Sequence, residues 1–389
     1  MSGYQYFEFQ AIDQPLSRAQ MDELRRWSSR ARITPSGFVN EYHYGDFKGS
    51  PDRWMTDYFD AFLHIANWGT RWLMLRLPRG LVSEERLFAY CSDEAGLTSR
   101  EAGEQLILSF YATIEDHDWV EGDGWLAALT PLRSALLGGD TRCLYLGWLL
   151  GMQMGEVADE DREPPVPPGL GELDESLRSF ADFFRLDADL LAVAAECSAP
   201  MDAQPLSEDG LRCWVGEMSV AEKDAMLCSI LTEERPSRIQ SQLLQLRSRA
   251  RRALNTASLA APPPVSERRT AQALRMAAAT LTEQRRQART ARQARETAQR
   301  EAEAAKRRKL YLQSRKGTED QLWQEVEQLI DTRQPNAYDR AVSLLQDLHD
   351  LAGTDDTTDA FGQRMQGLIA QHLKKRTLIE RLRSARLVP

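Results

Sequence analysis

SERRTAQALRMAAATLTEQRRQARTARQARETAQREAEAAKRRKLYLQSRK, residues 266–316, contains neither proline nor glycine. Alanine, arginine, glutamine and glutamate dominate it, all residues that lose little on entering a helix, so the stretch predicts one helix of roughly 75 Å. Between Glu267 and Lys316 it carries 15 Lys/Arg against 5 Asp/Glu. A seam at three- and four-residue spacing runs through Leu274, Ala277, Leu281, Gln284, Ala288, Ala291, Arg295, Ala298, Ala302, Ala305, Lys309 and Leu312. Alanine in a seam lets a second helix come close but buries little area, so such a seam calls for a partner.

Charge counted outward from this helix separates three regions of the 389-residue chain. Residues 1–234 hold 19 Lys/Arg and 41 Asp/Glu, residues 235–316 hold 21 and 5, and residues 317–389 hold 9 and 12, for a net charge of −9. An acidic body, a basic middle and a nearly neutral tail follow one another. Upstream of the helix an Ala/Pro linker spans 255–266, and a second proline-rich stretch, Glu163 to Gly171, marks a boundary because four prolines cannot continue a helix. The expected organisation is therefore an α+β domain over 1–162, an all-helical domain over 172–254, the linker, the long basic helix over 267–316 and a helical bundle over 317–389.

Within 1–162, Tyr4 to Ala11 alternates and is aromatic-rich, as a half-buried strand should be, and Ser17-x-x-Gln20 reads as a capping box opening a helix to about Ala31. Further strands are expected over 38–47, 70–77 and 105–114, and a helix over 51–67. Two helices follow, one with Pro131 in its first turn and stopped by Gly138-Gly139, the other from Asp140 to about Gly155. Beyond Gly171 short helices are expected near 173–184, 187–197 and 207–216, then one capped by Ser219 and one begun by Pro236. In the tail three amphipathic faces stand out: Leu322, Trp323, Val326, Leu329 and Ile330; Ala337, Ala341, Leu344, Leu345, Leu348 and Leu351; Phe361, Met365, Leu368, Ile369 and Leu373.

The most membrane-like stretch, Cys143 to Gly155, has 13 residues where a spanning helix needs about 20, so no membrane association is expected. The first ten residues lack a basic patch followed by an apolar run, and the five scattered cysteines form no Cys-x-x-Cys, which together predict a cytoplasmic protein without a disulfide framework or zinc knuckle. Neither a phosphate loop, Gly-x-Gly-x-x-Gly, His-Glu-x-x-His nor Gly-x-Ser-x-Gly occurs, and no cofactor or metal is expected.

Two resemblances add to this. The opening Tyr4 to Asp13, the stretch Ala66 to Pro78 (ANWGTRWLMLRLP) and Tyr145 to Leu150 (YLGWLL) resemble a family of uncharacterised bacterial proteins over residues 1–250, which implies no activity. The tail from Leu322 to Leu387, above all LWQEVE and YDRAVSLLQDL, resembles the helical tail of bacterial SWIM-type zinc-finger proteins. That family's zinc motif, Cys-x-Cys followed by Cys-x-His, is missing here, so neither zinc nor its nucleic-acid role carries over. The resemblance implies a docking module shared within one bacterial multi-component system, of the conflict or antiviral-defence kind.

Four groups of residues are candidates for chemistry or binding. On a helix over 51–67, Trp54, Asp57, Ala61, His64 and Trp68 would form a second stripe with Asp60 beside it, so Asp57, Asp60 and His64 are the catalytic or metal candidates, set against a reading of solvated carboxylates and packed aromatics. Glu115 to Gly124 clusters carboxylates and glycines without the order of a calcium loop, and Arg71, Arg76 and Arg79 could grip an anion but fit the solvent face of a strand. The basic helix offers a protein-docking seam (Leu274, Leu281, Ala288, Ala291, Ala298, Ala302, Ala305) or, as an alternative, a sequence-tolerant nucleic-acid surface (Arg285, Arg286, Arg289, Arg292, Lys306, Arg307, Arg308, Lys309). The sequence thus points to a non-enzymatic adaptor with a protein partner, a second copy of itself or another subunit. Nucleic-acid binding and an enzyme built on Asp57, Asp60 and His64 are the alternatives.

Overall fold

In the computed structural model, residues 3–43, 45–81, 84–114, 120–201, 207–233, 236–255, 265–354 and 357–388 are described. They divide into two compact units, Met1–Gln284 and Arg285–Pro389.

The first unit opens with β1 (Gln5–Gln10), α1 (Arg18–Trp27), β2 (Arg32–Thr34), β3 (Gly37–Tyr42), α2 (Pro51–Asp57), β4 (Ala61–Ala66), β5 (Thr70–Pro78), α3 (Glu84–Phe88), β6 (Gly96–Ala102) and β7 (Gln105–Thr113). Ser17 caps α1 through the capping box, its side chain meeting the Gln20 amide while Gln20 reaches back. The strands form one seven-stranded antiparallel sheet in the order β2-β3-β1-β4-β5-β7-β6, with Phe7 opposite Asn40 on one side and His64 on the other. Gly69 turns β4 into β5 at φ +102°, and a Cβ there would lie 1.9 Å from the Ile114 carbonyl oxygen, so only glycine fits.

Both faces of the sheet are covered. On one side Phe7, Phe9, Phe38, Phe62, Met74 and Ile107 pack with Trp54 and Met55 of α2 and Leu24 of α1. On the other, Tyr6, Leu63, Ile65, Leu73, Leu75, Leu108 and Phe110 meet α4 (Trp125–Leu129), α5 (Pro131–Leu137) and α6 (Arg142–Met154). α6 lies close enough that a Cβ on Gly147 would sit 2.8 Å from Leu97 and Phe110.

The helix expected over 51–67 is corrected by this packing: α2 stops at Asp57 and the chain continues as β4. β4 reads AFLHIA with all six residues buried, because a strand covered on both faces loses the polar/apolar alternation that marks a strand. β2 and β6 are not among the expected strands; the first has three residues and the second carries the charged Arg100-Glu101 before its last residue, Ala102, at a sheet edge.

The proline-rich stretch 163–171 does not separate two cores. Tyr90 donates to the Pro165 carbonyl (2.6 Å), Ser198 donates to the Pro167 carbonyl (2.7 Å), and Leu170 is buried. Beyond it α7 (Glu175–Phe183) and α8 (Ala188–Ala195) join the core of the sheet, Phe180 edge-on to Phe110 at 5.1 Å. α9 (Glu208–Glu217) and α10 (Val220–Leu231), each capped by serine, bury none of their residues, and α11 (Pro236–Asn255) completes the helices before residues 256–264, where most of the expected Ala/Pro linker lies outside the described residues.

α12 (Ala271–Arg315) is the expected long helix, 45 residues in one run. In the second unit its end packs with α13 (Glu319–Asp331), α14 (Pro335–Thr354), α15 (Thr358–His372) and α16 (Arg376–Ser384) around Leu312, Trp323, Val326, Ile330, Leu345 and Leu382. Most residues of the three expected faces are buried; Leu329, Ala337, Phe361 and Ile369 are half-buried, and Leu373 is exposed. α16, which carries a fourth face through Leu378 and Leu382, was not anticipated.

Candidate functional site

The three residues proposed for chemistry fall into three different settings. Asp57 ends α2 at the surface and pairs with Arg53 one turn earlier (3.3 Å). Asp60 is fully buried and saturated: its Oδ2 accepts from the Ile12 and Asp13 amides (2.6 and 2.8 Å), and its Oδ1 accepts from Arg76 Nε and Nη2 (3.2 and 2.8 Å). Arg133 extends this network, forking onto Asp13 (3.1 and 2.6 Å) and donating Nε to the Arg76 carbonyl (2.7 Å). A carboxylate with four donors and two guanidinium neighbours has no lone pair free for a metal or a substrate.

His64 sits on the aromatic side of β4, stacked on Phe7 with ring centroids 4.1 Å apart, and its Nε2 lies 3.3 Å from Gln5 Oε1. Its Nδ1 is buried without a partner, and burial pushes the imidazole down to about 4. With helix 51–67 replaced by a helix and a strand, the stripe from Trp54 to Trp68 does not exist: Trp54 is core and Trp68 is half exposed.

Of the remaining candidates, residues 115–119 of the acidic cluster lie outside the described residues, while Gly122 donates its amide to the Tyr4 hydroxyl (3.3 Å). Arg71 and Arg76 are not on a solvent face. Arg71 is buried with its guanidinium over the Phe183 ring (5.4 Å), and Arg76 is the partner of Asp60; only Arg79 is exposed, paired with Glu84 and Glu101. Among the described residues no cluster of His, Cys, Asp or Glu could hold a metal ion. A cleft of about 730 Å³ is lined by Arg79, Trp214, Glu217, Glu222 and Arg249 among others, and these residues bring no nucleophile to a base.

What remains is α12. Its first turns are anchored in the first unit, where Ala271, Leu274 and Ala278 are buried and Leu281 packs against the same core. Just before the helix Arg269 donates to both oxygens of the buried Glu163 (2.7 and 2.8 Å), and Glu163 in turn accepts from the Tyr145 hydroxyl. Arg275 pairs with Asp159 and donates to the Val157 carbonyl (2.7 Å). Leu274 and Leu281 are therefore removed from the expected docking seam, because the chain's own core occupies them; the buried phase runs 271, 274, 278 rather than through the exposed Ala277.

The far end is anchored in the second unit. Leu312 is buried, Arg308 pairs with Asp347 and with Asp350 (2.7 Å), and Tyr311 donates to Asp347 Oδ2 (2.9 Å). This removes Arg308 from the candidate nucleic-acid residues. Asp347, 4% exposed on α14, is the residue that sequence reasoning missed; its signal was a carboxylate flanked by the apolar Leu344, Leu345, Leu348 and Leu351 of one helix face.

Between these anchors every residue from 284 to 307 is exposed. At about 100° per residue, Ala291, Ala294, Ala298, Ala302 and Ala305 share one face, and Arg285, Arg289, Arg292, Arg300 and Arg307 share the opposite one, with Glu296 and Glu303 among them. Arg292 bonds Glu296 (2.8 Å) and Arg307 lies 3.7 Å from Glu303. Residues 285–309 carry ten Lys/Arg against three Glu.

No helix among the described residues is long and apolar enough to cross a membrane. Comparison with models of known protein families, with curated proteins and with solved structures returns no match.

Proposed function

We propose that this chain is a non-enzymatic adaptor of a multi-component bacterial system, docking a protein partner on the alanine face of α12 and on the helical tail. The observation that carries the reading is the exposure of residues 284–307 on a helix anchored at one end by the buried Ala271, Leu274 and Ala278 and at the other by the buried Leu312. Five alanines in register form a shallow apolar track, and side chains of this size accept the larger knobs of a facing helix at close range. Pairing of two copies along this stretch would bring two runs of eight cations together, so the partner is a different chain or a different surface of the same one. The bacterial setting, and the link to conflict or defence, rest on the tail's resemblance to SWIM-type zinc-finger proteins.

The test is a quantitative pull-down from native cells with three baits: wild type, Ala298→Glu/Ala302→Glu and Arg289→Gln/Arg292→Gln. A protein retained in stoichiometric amount by the first and third and lost from the second is the expected result. A retained set identical for all three baits, or nothing stoichiometric with any, overturns the reading.

A further inference from the structure

The face of α12 opposite the alanines poses a separate question. Arg285, Arg289, Arg292, Arg300 and Arg307 project along about 33 Å of helix, at 1.5 Å per residue, close to one turn of duplex. All five are exposed, and so are Arg286 and Lys306 at the edges of the face. The chain outside this helix is acidic, so positive charge is concentrated here against the sign of the whole molecule.

A protein interface needs an apolar centre, with charge at its rim. This face has none: between Arg285 and Lys309 the only apolar residues are alanines, and most of those lie on the other side. A phosphate backbone needs no apolar centre, because its affinity comes from released counterions. The two glutamates on the face do not close it. Arg292–Glu296 and Arg307–Glu303 are exposed pairs one helical turn apart, and pairs of that kind give way readily to a denser anion. Base reading is not provided for. Tyr311, the one aromatic residue near the stretch, is held by Asp347 and flanked by the guanidinium groups of Arg308 and Arg315 at 5.7 and 5.3 Å.

We propose that the arginine face of residues 285–307 binds the phosphate backbone of duplex nucleic acid without sequence preference. The two faces of one helix then serve different ligands, a protein on the alanines and a polyanion on the arginines.

Fluorescence anisotropy with the full chain tests this on DNA and RNA duplexes of about 30 base pairs and two unrelated sequences, at salt from about 50 to 200 mM. Four contacted phosphates predict a log–log slope near −4 and an affinity loss of about a hundredfold across that range, alike for both sequences. Arg289→Gln/Arg292→Gln/Arg300→Gln should weaken binding at least about tenfold at the lowest salt and flatten the slope by about 3, with helix content unchanged by circular dichroism. Ala291→Gln/Ala298→Gln, on the other face, should leave binding within about twofold. No binding to either duplex at the lowest salt, or binding that the three arginine changes spare, overturns the proposal. Displacement of the duplex by polyglutamate as effective as by unlabelled duplex would do so too, and would assign the face to an acidic protein.

Discussion

β4 and the exposed stretch of α12 are opposite extremes of one molecule. All six residues of β4 are buried, and all residues from 284 to 307 are exposed. β4 exists because both its faces and both its edges are covered; AFLHIA lacks the polar/apolar alternation that marks a half-exposed strand, and the segment before it, capped by Ser50, pulls a local reading towards helix. α12 is helical with no tertiary support over six turns, from the propensity of Ala, Arg, Gln and Glu and from pairs such as Arg292–Glu296. Structure borrowed from neighbours is invisible in the sequence and costly to disturb. Structure that is intrinsic is legible and tolerant.

The sharpest test of that contrast is Asp60→Ala beside Asp57→Asn, two carboxylates three residues apart. Asp60 is the buried acceptor of two amides and Arg76, so its loss leaves a guanidinium and two amides short of a partner and should lower stability by about 3–5 kcal/mol in urea unfolding. Asp57 faces solvent with a one-turn pair, and its change should be worth about 0.5 kcal/mol or less. Equal effects would mean that the Asp60 network does not hold β4 to the rest of the sheet.

His64 gives the next largest effect, and one that depends on pH. Burial holds its imidazole at about 4, against 6.5 in the unfolded chain, so below pH 6.5 the unfolded state takes up a proton that the folded state refuses. Its contribution is complete above pH 6.5, drains away as pH falls towards 4, and amounts to about 3 kcal/mol over that window. His64→Gln should flatten the stability profile there by about that amount, whatever it does to stability at neutral pH. A profile of unchanged slope would show that His64 does not carry the dependence.

In the second unit Asp347→Asn removes the charge from a buried acceptor of Arg308 and Tyr311 and should cost about 2 kcal/mol. The discount relative to Asp60 comes from Arg308, which is 41% exposed and can rehydrate when its partner is lost. Loss of a transition assigned to the first unit instead would contradict the division at Gln284.

These contrasts show where reading the sequence succeeds. β1, β5 and β7, the capping box at Ser17, the end of α5 at Gly138 and the apolar faces of α13 to α15 follow from local pattern and local chemistry. The failures share one cause. β4 was read as helix, Arg71 and Arg76 as solvent-facing and residues 163–171 as a linker, because each is settled by partners remote in the chain: Phe7, Phe183, Asp60, Tyr90 and Ser198. The candidate site divides in the same way. The exposed alanines and arginines of α12 stand where helical periodicity places them, whereas Leu274, Leu281 and Arg308 were already taken by cores and carboxylates that no spacing rule reveals.

The smallest expected stability effect belongs to Ala298→Glu with Ala302→Glu, and its smallness makes it informative. Both alanines are exposed on a helix that needs no neighbour, glutamate is nearly as good a helix former as alanine, and the new charges fall among arginines and lysines. Thermal unfolding should therefore move by no more than corresponds to about 0.5 kcal/mol. On the alanine track the same change is large: two bulky charges fill the space that a facing helix would occupy, and they would have to be stripped of water to fit. If the double variant unfolds as wild type does and yet loses the stoichiometric partner, the face is a docking surface and not a strut. If it loses several kcal/mol, residues 284–307 pack against something in the isolated chain, and the contrast with β4 collapses. If it loses neither stability nor partner, the alanines serve only to keep the helix straight and soluble.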